Sequence, residues 1–150
     1  MNLISGATGF VGGRLLLALD KDSLVTRKLN RIPKELPGSV VADLSDIAAL
    51  TAACAGIETV FHCAGYAHAF SSLSGDNANL HRRINFEGTR NLVEAAGLAG
   101  VRRFVFLSSV KAMAEPGELC VDEDFPGDPV TAYGQSKRAA EAAVLSAGQR

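Results

Sequence analysis

The chain has 150 residues, of which 47% are hydrophobic, and a formal net charge of -1 at pH 7. One buried core is within reach of this length, so a single domain is expected. The near balance of acidic and basic residues argues against nucleic acid as a partner. Three cysteines form neither a CxxC pair nor a cluster with the three histidines, which predicts a reduced, cytoplasmic protein without a metal site. No leader-like segment or long apolar run is present, so no membrane partner is expected.

Short apolar runs alternate along the chain with segments of helical period, which predicts an α/β fold with a parallel sheet. Five strands are expected, each rich in the apolar residues that strands buried on both faces require. Their predicted bounds are Asn2–Ser5, Leu24–Asn30, Ser39–Ala42, Glu58–Cys63 and Arg103–Ser108.

Four helices are predicted between and after these strands. In the first, "FVGGRLLLALD", three leucines share one face, namely Leu15, Leu16 and Leu19. The other three are expected to run from the polar residues Ser45 and Asp46 to near Cys54, from about Asn79 to Leu98, and from near Thr131 onward.

A glycine-rich turn, "SGATGFVG", follows the first strand and opens the first helix. Gly6, Gly9 and Gly12 let the backbone turn tightly and approach a pyrophosphate. The N–H groups at the helix start, at Phe10 and Val11, would meet the negative charge of that pyrophosphate. Such turns also occur by chance, but the strand before it and the helix after it favour dinucleotide binding.

The end of the second strand bears on the choice of cofactor. An acid at this position would bind both hydroxyls of the adenosine ribose, but the chain has Asn30 followed by Arg31. Arg31, with Arg27 and Lys28 nearby, is suited to pair with a 2'-phosphate, which gives a slight preference for NADP over NAD. The alternative is that these cations are ordinary solvated charges beside a strand.

Asp43 and Leu44 come directly after the third strand, in "VVADLSD". The Asp43 carboxylate is placed to accept a hydrogen bond from the adenine amino group, while Leu44 covers the ring. An equally good interpretation is a helix-capping or turn aspartate.

Tyr133 and Lys137 lie four residues apart in "AYGQSK", so a helix places them on one face. An ammonium about 4 Å from a phenolate stabilises it by about 4 kcal/mol at an effective dielectric of about 20, enough for acid/base chemistry near neutrality. Taken alone, such a pair is more often a surface pair.

Six motifs in order carry a more specific resemblance: "GATGFVG", "ADL", "FHCAG", "NFEGTRNLVEAA", "FVFLSS" and "YGQSK". Together they resemble the cofactor half of an extended short-chain dehydrogenase/reductase, in particular the NAD-dependent epimerase/dehydratase family related to UDP-glucose 4-epimerase. The resemblance covers nearly all 150 residues and implies a Rossmann-type, doubly wound parallel sheet over 1–150 that binds NAD or NADP. It also implies that the substrate-binding part of such enzymes lies outside this sequence, so the chain alone is expected to be inactive.

The resemblance assigns the catalytic roles. Tyr133 is implied to be the general acid/base, and Lys137 to assist its ionisation and bind the nicotinamide ribose. Ser109 is implied to bind the reacting sugar oxygen, while strand alternation turns Ser108 to the other face.

The same resemblance implies that Asn85 supports the site and that Ala64 and Gly65 pass close to the cofactor ribose. For His62 and Cys63, in the same turn, a packing role is preferred. A last set of residues is expected to be solvated rather than substrate-binding: Arg82, Arg83, Arg102 and Arg103.

The residues after Ser109 limit the reaction type. Family dehydratases carry an Asp-Glu pair there, whereas this chain has Val110 and Lys111, which disfavours dehydration. A UDP-sugar 4-epimerase is the leading expectation, with a possible homodimeric assembly. An NADPH-dependent reductase of 4-keto-sugars or other carbonyls stays open, as does a non-catalytic dinucleotide-sensing module.

Overall fold

Five parallel strands form one sheet in the order β3-β2-β1-β4-β5. The computed structural model describes residues 1–22, 24–31, 38–67, 76–115, 117 and 120–149. The strands are β1 (Asn2–Ser5), β2 (Thr26–Asn30), β3 (Ser39–Val41), β4 (Thr59–His62) and β5 (Arg103–Phe106). The predicted five-stranded parallel sheet with helices is therefore confirmed.

The helices begin where the sequence supplies capping side chains. Asp46 accepts the N–H of Ala49 at 3.0 Å, and Thr131 accepts the N–H of Gly134 at 3.2 Å, so both predicted helix starts are confirmed. The helices are α1 (Phe10–Lys21), α2 (Ile47–Cys54), α3 (Asp76–His81), α4 (Gly88–Leu98) and α5 (Ala132–Gly148), with a π-helical turn at Arg82–Glu87 and a 3-10 turn at Val110–Ala112.

Three predicted features differ from the structure. The helix expected from Asn79 begins at Asp76, and the π-helical turn divides it into α3 and α4. Strand β2 begins at Thr26 rather than Leu24, and β3, β4 and β5 are also shorter than predicted. Burial of β3 and β5 on both faces was the wrong expectation, because these strands form the two edges of the sheet and leave Val41 50% and Val105 49% exposed.

The two faces of the sheet are covered by different helices. On one face, Leu3 packs in a cluster with Leu50 of α2 and Leu92 of α4. On the other, Ile4 packs with Leu16 of α1, and the neighbouring leucines of the predicted apolar face join this cluster. Adjacent residues of β1 thus serve opposite cores, as the alternation of strand side chains requires.

The path of the chain locates the functional end of the sheet. From β1 the chain runs through α1 to β2 and β3 on one side, and then returns to β4 and β5 on the other. In doubly wound sheets this reversal opens a crevice at the carboxyl ends of the strands, here between β1 and β4. Within the residues described, no helix is long and apolar enough to cross a membrane.

Candidate active site

An open cleft of about 680 Å³ lies at the carboxyl ends of β1, β2 and β4. Its size falls within the range usual for small-molecule and cofactor sites. Eight of the predicted site residues line it: Gly6, Gly9, Asn30, Arg31, Asp43, Leu44, Ala64 and Gly65.

The glycine turn forms the floor of the cleft. Gly6 has a φ of +75°, and a Cβ there would lie 2.7 Å from the Ala64 nitrogen. A Cβ on Gly12 would overlap the Gly6 carbonyl oxygen and lie 2.9 Å from the Gly6 carbonyl carbon. Gly9 caps α1 with extended backbone and without a side-chain hydrogen bond, so the first helical N–H groups stay available to a ligand. The side chains of Phe10 and Val11 are exposed and do not line the cleft.

Asn30 lines the cleft and carries a buried side-chain oxygen without a hydrogen-bond partner. The residue is only 7% exposed, and its Nδ2 donates to the Ser39 hydroxyl at 3.3 Å. Its Oδ1 is the one buried side-chain nitrogen or oxygen without a hydrogen-bond partner in the described part of the chain. A buried acceptor left unpaired is costly.

The two arginines near Asn30, Arg27 and Arg31, have different surroundings. Arg31 is exposed and lines the cleft. Arg27 instead donates to the main-chain carbonyls of Ala53 and Ala55 at the end of α2, the second at 3.0 Å. Arg27 is thereby directed to the helix end, and the expectation that it would assist Arg31 is not met.

Asp43 serves as a turn residue and also lines the cleft. Its Oδ1 accepts the Ser45 hydroxyl at 2.7 Å and the Ser45 N–H at 2.9 Å. These two hydrogen bonds lower the pKa of Asp43, with smaller contributions from the guanidinium groups of Arg31 and Arg83. The turn interpretation is therefore observed, and Leu44 beside it lines the same cleft.

Several lining residues were missed by the sequence reasoning. Arg83, Glu87 and Asn91 lie on the π-helical turn and α4 and face the cleft, although Arg83 was expected only to be solvated. Their four-residue spacing along a predicted helix was the available signal. Tyr66, which follows β4, also lines the cleft.

Asn85 ties the cleft wall to α5. Its Oδ1 accepts the N–H of Tyr66 at 2.7 Å, and its Nδ2 donates to the Tyr66 carbonyl at 3.0 Å and to the Ser136 hydroxyl at 3.1 Å. Ser136 donates in turn to the carbonyl of Tyr133 at 2.7 Å. Asn85 thus holds the backbone of the cleft wall against the helix that carries Tyr133.

Lys137 is a residue of the same helix and is largely buried. Its Nζ donates to the Leu107 carbonyl at 2.5 Å and lies 4.1 Å from the centroid of the Phe106 ring. Burial lowers the pKa of Lys137 to about 8, although Glu141 and Cys63 act in the opposite direction. The ammonium form therefore prevails at neutral pH.

The Tyr133 ring lies against another buried side chain of the site. The His81 ring meets it edge-on, with 5.6 Å between centroids, and also lies 4.9 Å from the ring of Tyr66. Tyr133 is therefore close to the cleft wall through packing as well as through Asn85.

The two serines after β5 have different partners. Ser108 donates to the carboxylate of Glu141 on α5, while the Ser109 hydroxyl accepts the Lys111 N–H at 3.3 Å and caps the 3-10 turn. Among the residues described, no hydrogen bond joins Ser109 to Tyr133 or Lys137. Its substrate-binding role stays a prediction.

The turn after β4 combines lining and buried residues. Cys63 lines the cleft next to Ala64, and burial raises the pKa of its thiol. His62 is fully buried, and it is hydrogen-bonded as well as packed. No group of three or more His, Cys, Asp or Glu side chains in the described ranges is arranged to hold a metal ion.

Two of the arginines expected to be solvated form exposed ion pairs. Arg82 pairs with Glu87 at 3.1 Å, and Arg103 pairs with Glu58 at 2.6 Å. Arg102 is also exposed. Exposed pairs of this kind contribute little to stability.

Comparison with known proteins gives matches over almost the whole chain. A model of the NAD dependent epimerase/dehydratase family matches residues 2–150. A 3-beta-hydroxysteroid dehydrogenase of Mycolicibacterium neoaurum is 35% identical over 114 residues, which are 71% of this chain and 31% of that protein. The UDP-glucose 4-epimerase of Vibrio cholerae is 32% identical over 154 residues, or 96% of this chain and 46% of that enzyme.

A solved structure of MoeE5 in complex with UDP-glucose and NAD has a TM-score of 0.87 at 30% identity, and the match covers 99% of this chain and 49% of MoeE5. The chain thus spans 31%, 46% and 49% of the lengths of these three proteins.

Proposed function

This chain belongs to the NAD dependent epimerase/dehydratase family, and on that premise we propose that it provides the cofactor site and the acid/base pair of a nucleotide-sugar 4-epimerase. One observation carries the proposal. Asn30, whose buried Oδ1 has no hydrogen-bond partner, lines a glycine-floored cleft whose wall is linked through Asn85 to the helix of Tyr133 and Lys137.

The residues of the cleft fit a nicotinamide dinucleotide. Gly6 lets the turn after β1 pack directly against the Ala64 backbone, and the start of α1 offers free N–H groups to a pyrophosphate. Asn30 Oδ1 is an acceptor for a ribose hydroxyl, and Asp43 is an acceptor for the adenine amino group. Leu44 supplies an apolar surface for the adenine ring.

The chain's own residues would handle the proton of the reaction. A bound nicotinamide would supply the hydride chemistry at the sugar carbon. The Tyr133 side chain is proposed to act as the phenolate, which takes the proton of the sugar hydroxyl to become the phenol and later returns it. The Lys137 ammonium, which is largely buried and charged at neutral pH, is proposed to assist Tyr133 and to bind the nicotinamide ribose. Ser109 is proposed to hold the reacting oxygen.

The proposed substrate is a UDP-sugar. The Vibrio cholerae relative is a UDP-glucose 4-epimerase, and the MoeE5 structure contains UDP-glucose. Epimerisation at carbon 4 returns the hydride to the same carbon. The reaction therefore needs no acid/base groups beyond the pair on α5.

The proposed cofactor is NAD. The slight preference for NADP loses support because Arg27 is directed to the end of α2 and the MoeE5 structure contains NAD. A second candidate function is the reduction of a 4-keto-sugar or another carbonyl, with NADPH as the cofactor. It is favoured by Arg31 and Arg83, which both line the cleft and both act on Asp43.

Calorimetric titration of the protein with NAD and NADPH decides between these candidates. We expect NAD to bind more tightly, and Asn30→Leu to weaken NAD binding at least about fivefold because the ribose loses its acceptor. A clear preference for NADPH that disappears in Arg31→Ala would support the reductase instead. Unchanged NAD affinity in Asn30→Leu would contradict the assignment of Oδ1.

Turnover of UDP-glucose tests the acid/base pair, measured in an intact enzyme that joins this chain to a substrate-binding part. Tyr133→Phe should lower turnover about a hundredfold or more while NAD affinity stays the same, since the phenol acts on the substrate proton. Tyr66→Phe removes the other phenol of the sequence and should lower turnover by less than about tenfold. Dinucleotide binding by that intact enzyme without turnover of any UDP-sugar would favour a sensing module.

A further inference from the structure

His62 is a fully buried histidine on β4 with both ring nitrogens in hydrogen bonds. Its Nδ1 lies 2.5 Å from the Ser5 hydroxyl on β1, and its Nε2 lies 2.9 Å from the Thr89 hydroxyl on α4. Ser5 and Thr89 are themselves buried. Polar side chains are this deep in a core only when each finds a partner, so the three residues form a unit that joins β1, β4 and α4.

The distances fix the direction of every hydrogen bond in this unit. The Thr89 hydroxyl lies 2.6 Å from the carbonyl of Asn85, which can only accept, so its one hydrogen points there. Thr89 must then accept from His62, which places the ring proton on Nε2. The unprotonated Nδ1 accepts from Ser5, whose oxygen in turn faces the N–H of Ala64 at 3.4 Å. All the hydrogen bonds therefore point the same way: the Ala64 N–H is the first donor, and the Asn85 carbonyl is the last acceptor.

The surroundings of the ring require the neutral form. His62 lies between the rings of Phe104 and Phe106, and the Lys137 ammonium lies over the second of these. Burial, together with the charge of Lys137, lowers the pKa of His62 to about 3. The ring therefore carries a single proton throughout the physiological range, as the hydrogen-bond directions demand.

Both ends of this chain of hydrogen bonds lie in the wall of the cleft. At one end, Ala64 lines the cleft and touches the glycine turn, because a Cβ on Gly6 would lie 2.7 Å from its nitrogen. At the other end, Asn85 holds the main chain of Tyr66. A change in the ring of His62 would therefore move two parts of the wall relative to each other.

We propose that His62 is a positioning residue for the dinucleotide, which as the Nε2–H tautomer sets the separation between the glycine turn, the Ala64 turn and the π-helical turn. This inference rests on the proposed function and deepens it, because it concerns the geometry of the same cleft. His62 contacts neither cofactor nor substrate in this proposal. It acts through Ser5 and Thr89.

The test removes the hydroxyl of Thr89 from the unit and keeps the shape of the side chain. Thr89→Val removes the acceptor for Nε2–H, and Thr89→Ser restores a hydroxyl. Thr51→Val is the matched control, because Thr51 also donates to the carbonyl four residues earlier, at 2.8 Å, but in α2 and outside the unit. Ser5→Ala removes the hydroxyl that donates to Nδ1 of His62 and provides a second, smaller perturbation.

Three quantities are measured on the full chain: the protonation of each His62 nitrogen by 15N NMR, the affinity for NAD by calorimetry, and the urea midpoint of unfolding. We expect the unsubstituted ring to carry its proton on Nε2 and not to titrate down to about pH 4. Thr89→Val should lose the single tautomer and bind NAD at least about fivefold more weakly. Thr89→Ser should restore both, and Ser5→Ala should weaken binding in the same direction.

Several results would overturn the proposal. One is a ring protonated on Nδ1 in the unsubstituted chain. Another is a Thr89→Val variant that loses stability as Thr51→Val does but binds NAD with unchanged affinity, since His62 would then be a core residue only. If the unsubstituted chain binds no dinucleotide, the proposed function fails, whereas the NMR measurement still decides the hydrogen-bond directions separately.

Discussion

Substitution of Gly12 by alanine tests whether the glycine turn needs its close approach to α1. Gly12 lies in the first turns of α1 and is buried against the Gly6 peptide. An added Cβ would overlap the Gly6 carbonyl oxygen and lie 2.9 Å from the Gly6 carbonyl carbon and 3.2 Å from the Ala7 Cα. All three neighbours are backbone atoms, so no side-chain rotation can relieve the overlap.

The expected magnitude is the balance of two terms. Alanine is favoured over glycine inside a helix by about 1 kcal/mol, whereas overpacking of a well-packed position costs about 1–3 kcal/mol. Gly12→Ala should therefore be neutral or lower the free energy of unfolding by up to about 2 kcal/mol. Gly97→Ala makes the same change in α4, where an added Cβ meets nothing within 4 Å. It should raise the free energy of unfolding by about 0.5–1 kcal/mol.

Urea unfolding and calorimetric titration with NAD measure the two consequences. Because relief of the overlap displaces the Gly6 peptide in the cleft floor, Gly12→Ala should weaken NAD binding at least about tenfold, whereas Gly97→Ala should leave it unchanged. A Gly12→Ala protein that is as stable as Gly97→Ala and binds NAD normally would refute the argument from the turn geometry.

Four further predictions concern stability and pH. Leu92→Ala should lower the free energy of unfolding by about 2–5 kcal/mol in urea, because the side chain is fully buried, whereas Leu98→Ala on the exposed side of α4 should change it little. Asp46→Ala removes the cap of α2 and should cost about 0.5–2 kcal/mol by the same measurement.

The pKa of His62 is lowered from 6.5 to about 3. Below pH 6.5, His62 therefore binds a proton in the unfolded chain but not in the folded chain. Stability should then fall as the pH falls, by about 1.4 kcal/mol per unit, and His62→Gln should reduce that slope in acid titrations followed by circular dichroism. Lys137 loses its proton near pH 8, so turnover should decline as the pH rises through that value; a rate that stays constant to pH 10 would exclude a role for its charge.

Local signals in the sequence were sufficient for much of the fold. The glycine turn, the capping residues Asp46 and Thr131, and the leucine face of α1 each act over a few residues, so a single sequence reveals them. The same holds for β1, β4 and β5, whose apolar runs are distinct, whereas β2 (TRKLN) has a single apolar residue. The assignments of Ser109, Tyr133 and Lys137 came from the resemblance, and their catalytic roles remain predictions.

The features that were missed depend on contacts between distant segments. Periodicity along one helix does not reveal that Arg82–Glu87 winds as a π-helical turn, because the extra residue per turn changes the spacing only locally. Arg27 was expected at the cofactor and instead binds carbonyls at the end of α2, a choice that depends on how α2 packs. The partners of His62 are 57 and 27 residues away in the sequence.

The buried face of the helical segment Asp76–Leu98 explains why the cleft wall has one geometry. His81, Asn85 and Thr89 recur at four-residue spacing on this face, and all three are buried although polar. Apolar residues would fill the same space, but they would tolerate small rotations and shifts of the segment. A polar group that loses its partner here costs about 1–3 kcal/mol.

Together, the three polar residues contact the main chain of Tyr66, α5 and the sheet. His81 lies 3.2 Å from the Tyr66 carbonyl, Asn85 binds the Tyr66 main chain and α5, and Thr89 binds His62 on the sheet. A shift that improved one contact would break another, so only one placement satisfies them all. The π-helical turn lies between the first and last of these residues, where the cleft wall is built. The irregular winding thus occurs where one helical segment makes hydrogen bonds to the cleft wall, the sheet and the Tyr133 helix.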